Sequence, residues 1–393
     1  MKKLKHIIFV FILIAVWFSV GLAVAQDTVK HEVKHKISLK DSLDHAIDLS
    51  DYMIYSNGFI LVPTVITEPS LGGIGGALVP VFLKKRPPVI DTVNGKVRVT
   101  RVNPDITGAV GMYTANNSWL VGAFRSGTLA KARITYRAAV AYGDINLGFY
   151  KTFPTIGEQE FKFNFKTVPV YLQALKEFSN AKWSAGFQYI FLDTKIALAG
   201  EALPDFVTSK EMSSIVSQIG GVIQYDGRDN IFTPNKGIRL QANFFWSNSV
   251  IGSDYNSWRI NYSAIGYTPI TPKLIGGLRI EGQQSLGNPP FYLLPFIDLR
   301  GVPSARYQGD ATLLTEAETR WDFYKRWSLV FYGGVGEAYD NWDNMFENPL
   351  VYSYGTGFRY LIARKFGLRM GADIARGPES WAYYIVFGSA WFR

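Results

Sequence analysis

Along most of this chain, apolar and polar residues alternate with a period of two. Ile238, Leu240, Ala242 and Phe244 interleave with Arg239, Gln241 and Asn243. Trp258, Ile260, Tyr262 and Ala264 interleave with Arg259, Asn261 and Ser263. The same pattern sets Leu278 and Ile280 against Arg279, Glu281 and Gln283, and Leu368, Met370, Ala372 and Ile374 against Arg369 and Asp373. Phe161, Phe163 and Phe165 likewise oppose Lys162, Asn164 and Lys166. Each stretch predicts a β-strand with one apolar and one polar face. Sixteen such strands are expected, near 58–67, 71–84, 105–115, 117–127, 130–150, 158–176, 181–196, 211–226, 236–249, 256–268, 273–285, 311–323, 328–338, 350–363, 367–376 and 380–392.

Strand length decides what the apolar face meets. A soluble sandwich alternates in the same way, but its strands average about 5–6 residues. Many of these run to ten or more, and Tyr, Phe and Trp recur near their ends, as in the aromatic girdles of outer-membrane barrels. The expected fold is therefore all-β: a 16-stranded antiparallel transmembrane β-barrel preceded by a short helical or disordered N-terminal segment. The fifth strand could be split at Gly143-Asp144. It is kept whole because bacterial single-chain barrels have even strand numbers. With the N-terminus on the periplasmic side, the long connections 151–157, 197–210, 286–310 and 339–349 fall outside. The short ones, 177–180, 269–272, 324–327 and 364–366, fall inside, as such barrels require. Residues 85–104 form a long connection on the short-turn side, which this frame does not explain. Lys131, Arg133, Arg137, Arg239, Arg259, Arg279, Glu281, Arg320, Arg359 and Arg369 are expected to face a wet lumen, where they serve as salt-bridge partners or as a cationic path for an anionic solute.

Composition and charge narrow the chemistry. The 393 residues include no cysteine and carry a formal charge of +9. Disulfides, thiolate nucleophiles and Cys-ligated zinc are excluded. His6, His31, His35 and His45 are the only histidines, so residues 46–393 cannot supply the imidazole of a Ser–His hydrolase. No enzymatic activity, catalytic residue, metal or cofactor is expected. Lys2, Lys3 and Lys5, an apolar run from Ile7 to Phe18, and Ala23-Val24-Ala25 read as a signal peptide over residues 1–25. Residues 26–57 would be a short periplasmic tail with a helix near 39–49, its stripe formed by Leu39, Leu43 and Ile47. His31-Glu32-Val33-Lys34-His35 matches a zinc-protease pattern, but it stands in a charged tail with no domain around it. Residues 58–393 would be the barrel, an integral protein of the Gram-negative outer membrane. The expected partners are membrane lipid and periplasmic or outer-membrane proteins. Nucleic acid is not expected.

One region is more specific. Asp298-Leu299-Arg300-Gly301-Val302 is followed by Arg306-Tyr307-Gln308-Gly309-Asp310 and then by Glu318-Thr319-Arg320. Earlier come Tyr225-Asp226-Gly227-Arg228-Asp229-Asn230, Pro234 and Gly237. These resemble the surface-antigen barrel of the BamA/TamA-type outer-membrane assembly superfamily: the R-G tip of its sixth outer loop, the R-[FY]-x-G-[DE] stretch, the E-x-R strand, and the D-x-R-D-N turn. The resemblance spans roughly residues 58–393. It implies that the loop folds back into the lumen and that Arg300 and Gly301 form a lock with Glu318 and Arg320. Strand alternation independently places Glu316, Glu318, Arg320 and Asp322 on one face. It further implies a motif role for Arg306, Tyr307, Gly309 and Asp310, a turn role for Asp226, Arg228 and Asp229, and a barrel-closing last strand through Trp391 and Phe392. Three departures stand out. Val302 replaces the usual aromatic, the acid expected on the next strand falls in the glycine-rich 331–336 stretch with Glu337 as a weak substitute, and the chain ends on Arg393. The resemblance implies protein assembly or translocation at the outer membrane. Residues 26–57 have no room for POTRA domains, so a partner would replace them. The alternatives are a structural or accessory barrel and a passive solute pore.

Overall fold

The computed structural model describes residues 37–55, 58–84, 86, 89–93, 96–100, 105–153, 157–178, 182–198, 204, 207–340 and 342–391. The signal-peptide expectation, the histidine motif at 31–35 and Phe392 lie outside these residues.

Every one of the sixteen expected strands is present, and together they form one antiparallel sheet in chain order. The first hairpin is β1 (Gly58–Ile66) with β2 (Gly75–Lys84). The sheet then skips a separate two-stranded ladder, β3 (Val89–Val93) with β4 (Lys96–Thr100), which accounts for the long connection on the short-turn side. It resumes with β5 (Asp105–Thr114), β6 (Trp119–Leu129), β7 (Ile134–Phe153), β8 (Gly157–Glu177), β9 (Trp183–Leu198) and β10 (Ser213–Asp226). It continues through β11 (Gly237–Ser247), β12 (Ser257–Thr271), β13 (Leu274–Gly287), β14 (Ala311–Tyr324), β15 (Trp327–Tyr339), β16 (Val351–Ala363), β17 (Leu368–Arg376) and β18 (Trp381–Phe387). The sheet curls into a nearly closed barrel, with β1 and β18 as neighbouring edges. Among the described residues, no hydrogen-bond ladder joins these two edges. Two features explain the open seam. Pro63 sits in mid-β1 and has no N–H to give. Beyond Phe387 the chain leaves the sheet at Gly388, whose φ of +79° suits a residue without Cβ.

The strand faces separate as the alternation predicts. Phe187, Phe244, Leu278, Phe331 and Phe358 are exposed on the outer wall, and Trp321, Phe323, Tyr324 and Trp327 gather at the short-turn rim. The 20-residue β7 runs unbroken through Gly143-Asp144, and β8 has 21 residues. About 9–11 residues suffice for a tilted strand to cross a bilayer, so this hairpin extends well past the belt on the long-loop side. That extension reverses one expectation. Phe163 and Phe165 are buried inside, against Phe149 and Phe291 of the 288–310 loop, rather than turned to lipid. Their polar neighbours Asn164 and Lys166 face Asp144 on the other side, and Asn164 also donates to Asn146. Lys131 and Arg133 also depart from expectation, because they occupy the exposed 130–133 turn and not the lumen.

The N-terminal segment differs as well. Residues 39–49 form Asp-stabilised turns, and the helix α1 covers only Ser50–Tyr55. Leu39, Leu43 and Ile47 are exposed rather than packed on a stripe. Short Asp side chains satisfy backbone N–H groups two residues on, which competes with helix formation. The segment is tethered by charge. Arg326, in the β14–β15 turn, meets Asp41 and Asp44 at 2.6 Å and Asp48 at 2.7 Å.

Candidate functional site

The site is built by the 288–310 loop between β13 and β14. Its sequence alternates apolar anchors with polar tips. Ile297, Leu299 and Val302 are at most 3% exposed and pack with Leu314 and Val351. Each such burial contributes roughly 1.5–3 kcal/mol, enough to hold the loop inward. The glycine-rich stretch of β15 makes the room. A Cβ on Gly334 would stand 2.8 Å from the Leu299 side chain, and one on Gly336 would stand 3.0 Å from Ile297. Val302, standing where the resemblance expects an aromatic, is buried in the same apolar cluster.

Between these anchors, Arg300 is aimed at the wall. Its Nε donates to Glu316 Oε1 at 2.7 Å and its Nη1 to Asp373 Oδ2 at 3.0 Å. Nη2 lies 2.9 Å from Glu318 Oε2, an ion pair without hydrogen-bond alignment. The guanidinium also lies over the Tyr332 ring, 3.4 Å from its centroid. Burial alone would weaken the charged form. Glu316, Glu318 and Asp373 together reverse that and hold the Arg300 pKa above its ordinary value. Asp373 is shared with Arg359, whose Nη2 donates to it at 2.9 Å.

Glu316 is shared too. Its second oxygen accepts from Trp391 Nε1 at 2.7 Å, with Arg279 Nε 3.6 Å away. Trp391 is 1% exposed and rests against Tyr267, whose hydroxyl bonds Ser389 at 2.6 Å. The chain end has thus turned into the lumen. This corrects the expected barrel-closing strand through Trp391, because β18 stops at Phe387.

Beyond Arg300, the loop crosses the seam. Gly301, at φ +88°, donates its N–H to the Tyr384 hydroxyl on β18 at 2.8 Å, and a Cβ there would meet the Gly377 backbone. Ser304 donates its N–H to Glu68 in the β1–β2 connection at 3.1 Å. Arg306 donates to Glu379 at 3.1 Å and lies over the Tyr150 ring, while the Tyr307 hydroxyl donates to the same Glu379. Gly309 lies against the Tyr339 backbone, and the Asp310 carbonyl accepts from Ser285 N–H.

Two proposed participants are elsewhere. Arg320 is one inward position below Glu318, and it binds Asp322, Asn235 and the Pro234 carbonyl instead of the loop. Glu337 accepts the N–H groups of Phe346 and Asn348 in the next long loop. Tyr332 takes the place of the expected acid on β15. In the turn motif the side chains of Asp226, Arg228 and Asp229 bind within the turn. Arg228 binds Asp226 through two nitrogens, at 2.9 and 2.7 Å, and Asp229 accepts the N–H groups of Asn235 and Lys236. Asn230 continues to the Phe366 carbonyl at 2.7 Å. Sequence reasoning did not assign Asp373, Glu68, Glu379 or Trp391 their roles. Alternation placed Glu316 on the inner face with Glu318, but no local signal shows which inward acid a distant loop will reach.

Residues 125–299 match the Omp85 superfamily domain. No curated protein matches the chain. Among solved structures, BamA from Haemophilus ducreyi lacking POTRA domains 1–3 is similar at 11% identity and a TM-score of 0.56, over 84% of this chain and 70% of that one. CdiB from Escherichia coli is similar at 10% identity and a TM-score of 0.56, over 83% of this chain and 61% of its own. CdiB from Acinetobacter baumannii is similar at 11% and 0.56, over 84% and 59%. The chain thus spans less than two thirds of either CdiB. Likeness at this identity is a likeness of fold.

Proposed function

We propose that this chain is an outer-membrane barrel of the Omp85 superfamily, of the BamA/TamA type, and that it assembles or translocates proteins at the outer membrane, with a periplasmic partner in the receiving role of POTRA domains. The observation that carries this reading is the position of the 288–310 loop. It touches both edges of the unladdered seam, Glu68 beside β1 and Tyr384 on β18. A loop fastened to both edges controls whether they part. The short-turn rim is then periplasmic, and the N-terminal segment is presented where a partner would meet the barrel.

Depletion of the protein followed by outer-membrane proteomics tests the proposal. Loss of other barrel or exported proteins supports it, and an unchanged outer membrane removes it. Purification in native detergent with identification of bound proteins tests the partner.

A second reading is a structural or accessory barrel that inserts nothing. It is favoured by the number of carboxylates committed to Arg300 and by Trp391 sealing the same site from the other side. This reading expects a stable complex with no change in other outer-membrane proteins on depletion.

A further inference from the structure

Through Arg300 the 288–310 loop engages the lumen wall of β14 to β17, and through Phe291 and Tyr292 it also meets β7, β8 and β10. Apart from these contacts, residues of β7 to β13 line a cavity of about 340 Å³. Its chemistry differs from that of the Arg300 lock. Arg137, Arg239 and Arg259 line it with a single carboxylate, Glu281, and among the described residues no carboxylate lies within 4.0 Å of any of the three arginines. Arg239 is only 9% exposed, donates to the Gln241 amide oxygen at 2.5 Å, and has a buried Nε without a partner. Arg259 donates to the Gln218 amide oxygen at 3.1 Å, and its Nε is likewise buried without a partner. The amide oxygens of Gln173 and Asn261 are buried and unpaired.

The acids that could neutralise these arginines are engaged. Asp226 is bound by Arg228, and Glu281 lies 3.8 Å from Arg279. Arg239 is buried, Arg259 is half-buried over the Phe245 ring, and each keeps a buried Nε that no carboxylate reaches, an arrangement that is costly unless an anion completes it. The ring of glutamine and asparagine side chains offers both donors and acceptors, the recognition chemistry of hydroxyl groups. The volume is at the small end of ligand cavities, which run about 300–1,000 Å³.

We propose that this chamber is a binding site for a small anionic sugar, with a phosphate or carboxylate held by Arg239 and Arg259 and hydroxyls read by Gln173, Asn261 and their amide neighbours. This site is independent of the assembly and translocation reading, and either can fail without the other.

The test uses the full chain purified in detergent and titrated calorimetrically at fixed ionic strength. The probes are glucose 6-phosphate, glucuronate, inorganic phosphate and glucose. Saturable binding of either sugar anion, at least about tenfold tighter than phosphate or glucose, is expected. Arg259→Gln and Arg239→Gln should each weaken it about tenfold or more. Asn261→Asp keeps the size of the side chain but adds a carboxylate that competes for the arginines, so it should weaken binding similarly. Heat-modified gel mobility shows that each variant is a folded barrel. Absent or unsaturable binding overturns the proposal. So does equal affinity for phosphate, which would mark a mere counter-ion site, or undiminished binding in the folded Arg259→Gln and Asn261→Asp variants.

Discussion

Replacing Arg300 with alanine would leave Glu316, Glu318 and Asp373 facing one another in a buried space, with Arg279 and Arg359 nearby. Removing one partner of a buried charge pair costs about 3–5 kcal/mol. Arg300→Ala should lower the temperature at which the barrel loses its compact gel mobility. Arg300→Lys should not restore it, since one ammonium cannot span three carboxylates. Mobility unchanged from wild type would refute the lock. At Glu316 the prediction is more selective. Glu316→Gln keeps the shape but weakens bonds to both Arg300 and Trp391. A charge-assisted hydrogen bond contributes about 1.5–3 kcal/mol, so the variant should be destabilised and its C-terminal end should become open to carboxypeptidase. A protected C-terminus in that variant would show that Trp391 is held by packing on Tyr267 alone.

The N-terminal segment is an element held by charge and hence by pH. Asp41 is held below the usual carboxylate range, first by its hydrogen bond from Arg364, and Asp44 by its hydrogen bond from Arg326. A carboxylate whose folded value is depressed contributes stability above its unfolded value, about 3.9 for Asp, and loses it as pH falls through the folded value. Docking of residues 38–51 should therefore persist at pH 5 and fail only below the ordinary Asp range. Pepsin cleavage within this segment should rise steeply there and not before. Arg326→Ala should give the same cleavage at neutral pH with a neutral protease. Equal protection of wild type and variant would show that α1 and the Leu49–Ile362 backbone bond suffice.

For the whole molecule, the seam and the loop make one mechanical unit. Cysteines at Ser304 and Glu68, joined by a short thiol-reactive linker, should block the cellular function and release it on cleavage of the linker. The absence of native cysteine makes the pair specific. Full activity with the linker intact would show that the loop need not leave Glu68. In planar bilayers the wild-type barrel should conduct weakly, and Arg300→Ala should conduct more by freeing the loop.

The strand frame was legible because a half-buried strand must alternate, and each strand carries that requirement in its own residues. The loop motif marked Arg300, and alternation turned Glu316 and Glu318 inward beside it. The sequence alone could not tell inner from outer apolar faces in the long β7–β8 hairpin. Phe163 and Phe165 alternate as lipid-facing residues do, and only the arrival of Phe291 makes them interior. Nor could it show that Asp373, far along the chain, would share Arg300, or that Gly388 would send Trp391 to Glu316. Periodicity is a local property, fixed by the backbone repeat of each strand. The partner of a buried charge is set by barrel curvature and register, which exist only once all sixteen strands have curled around the loop.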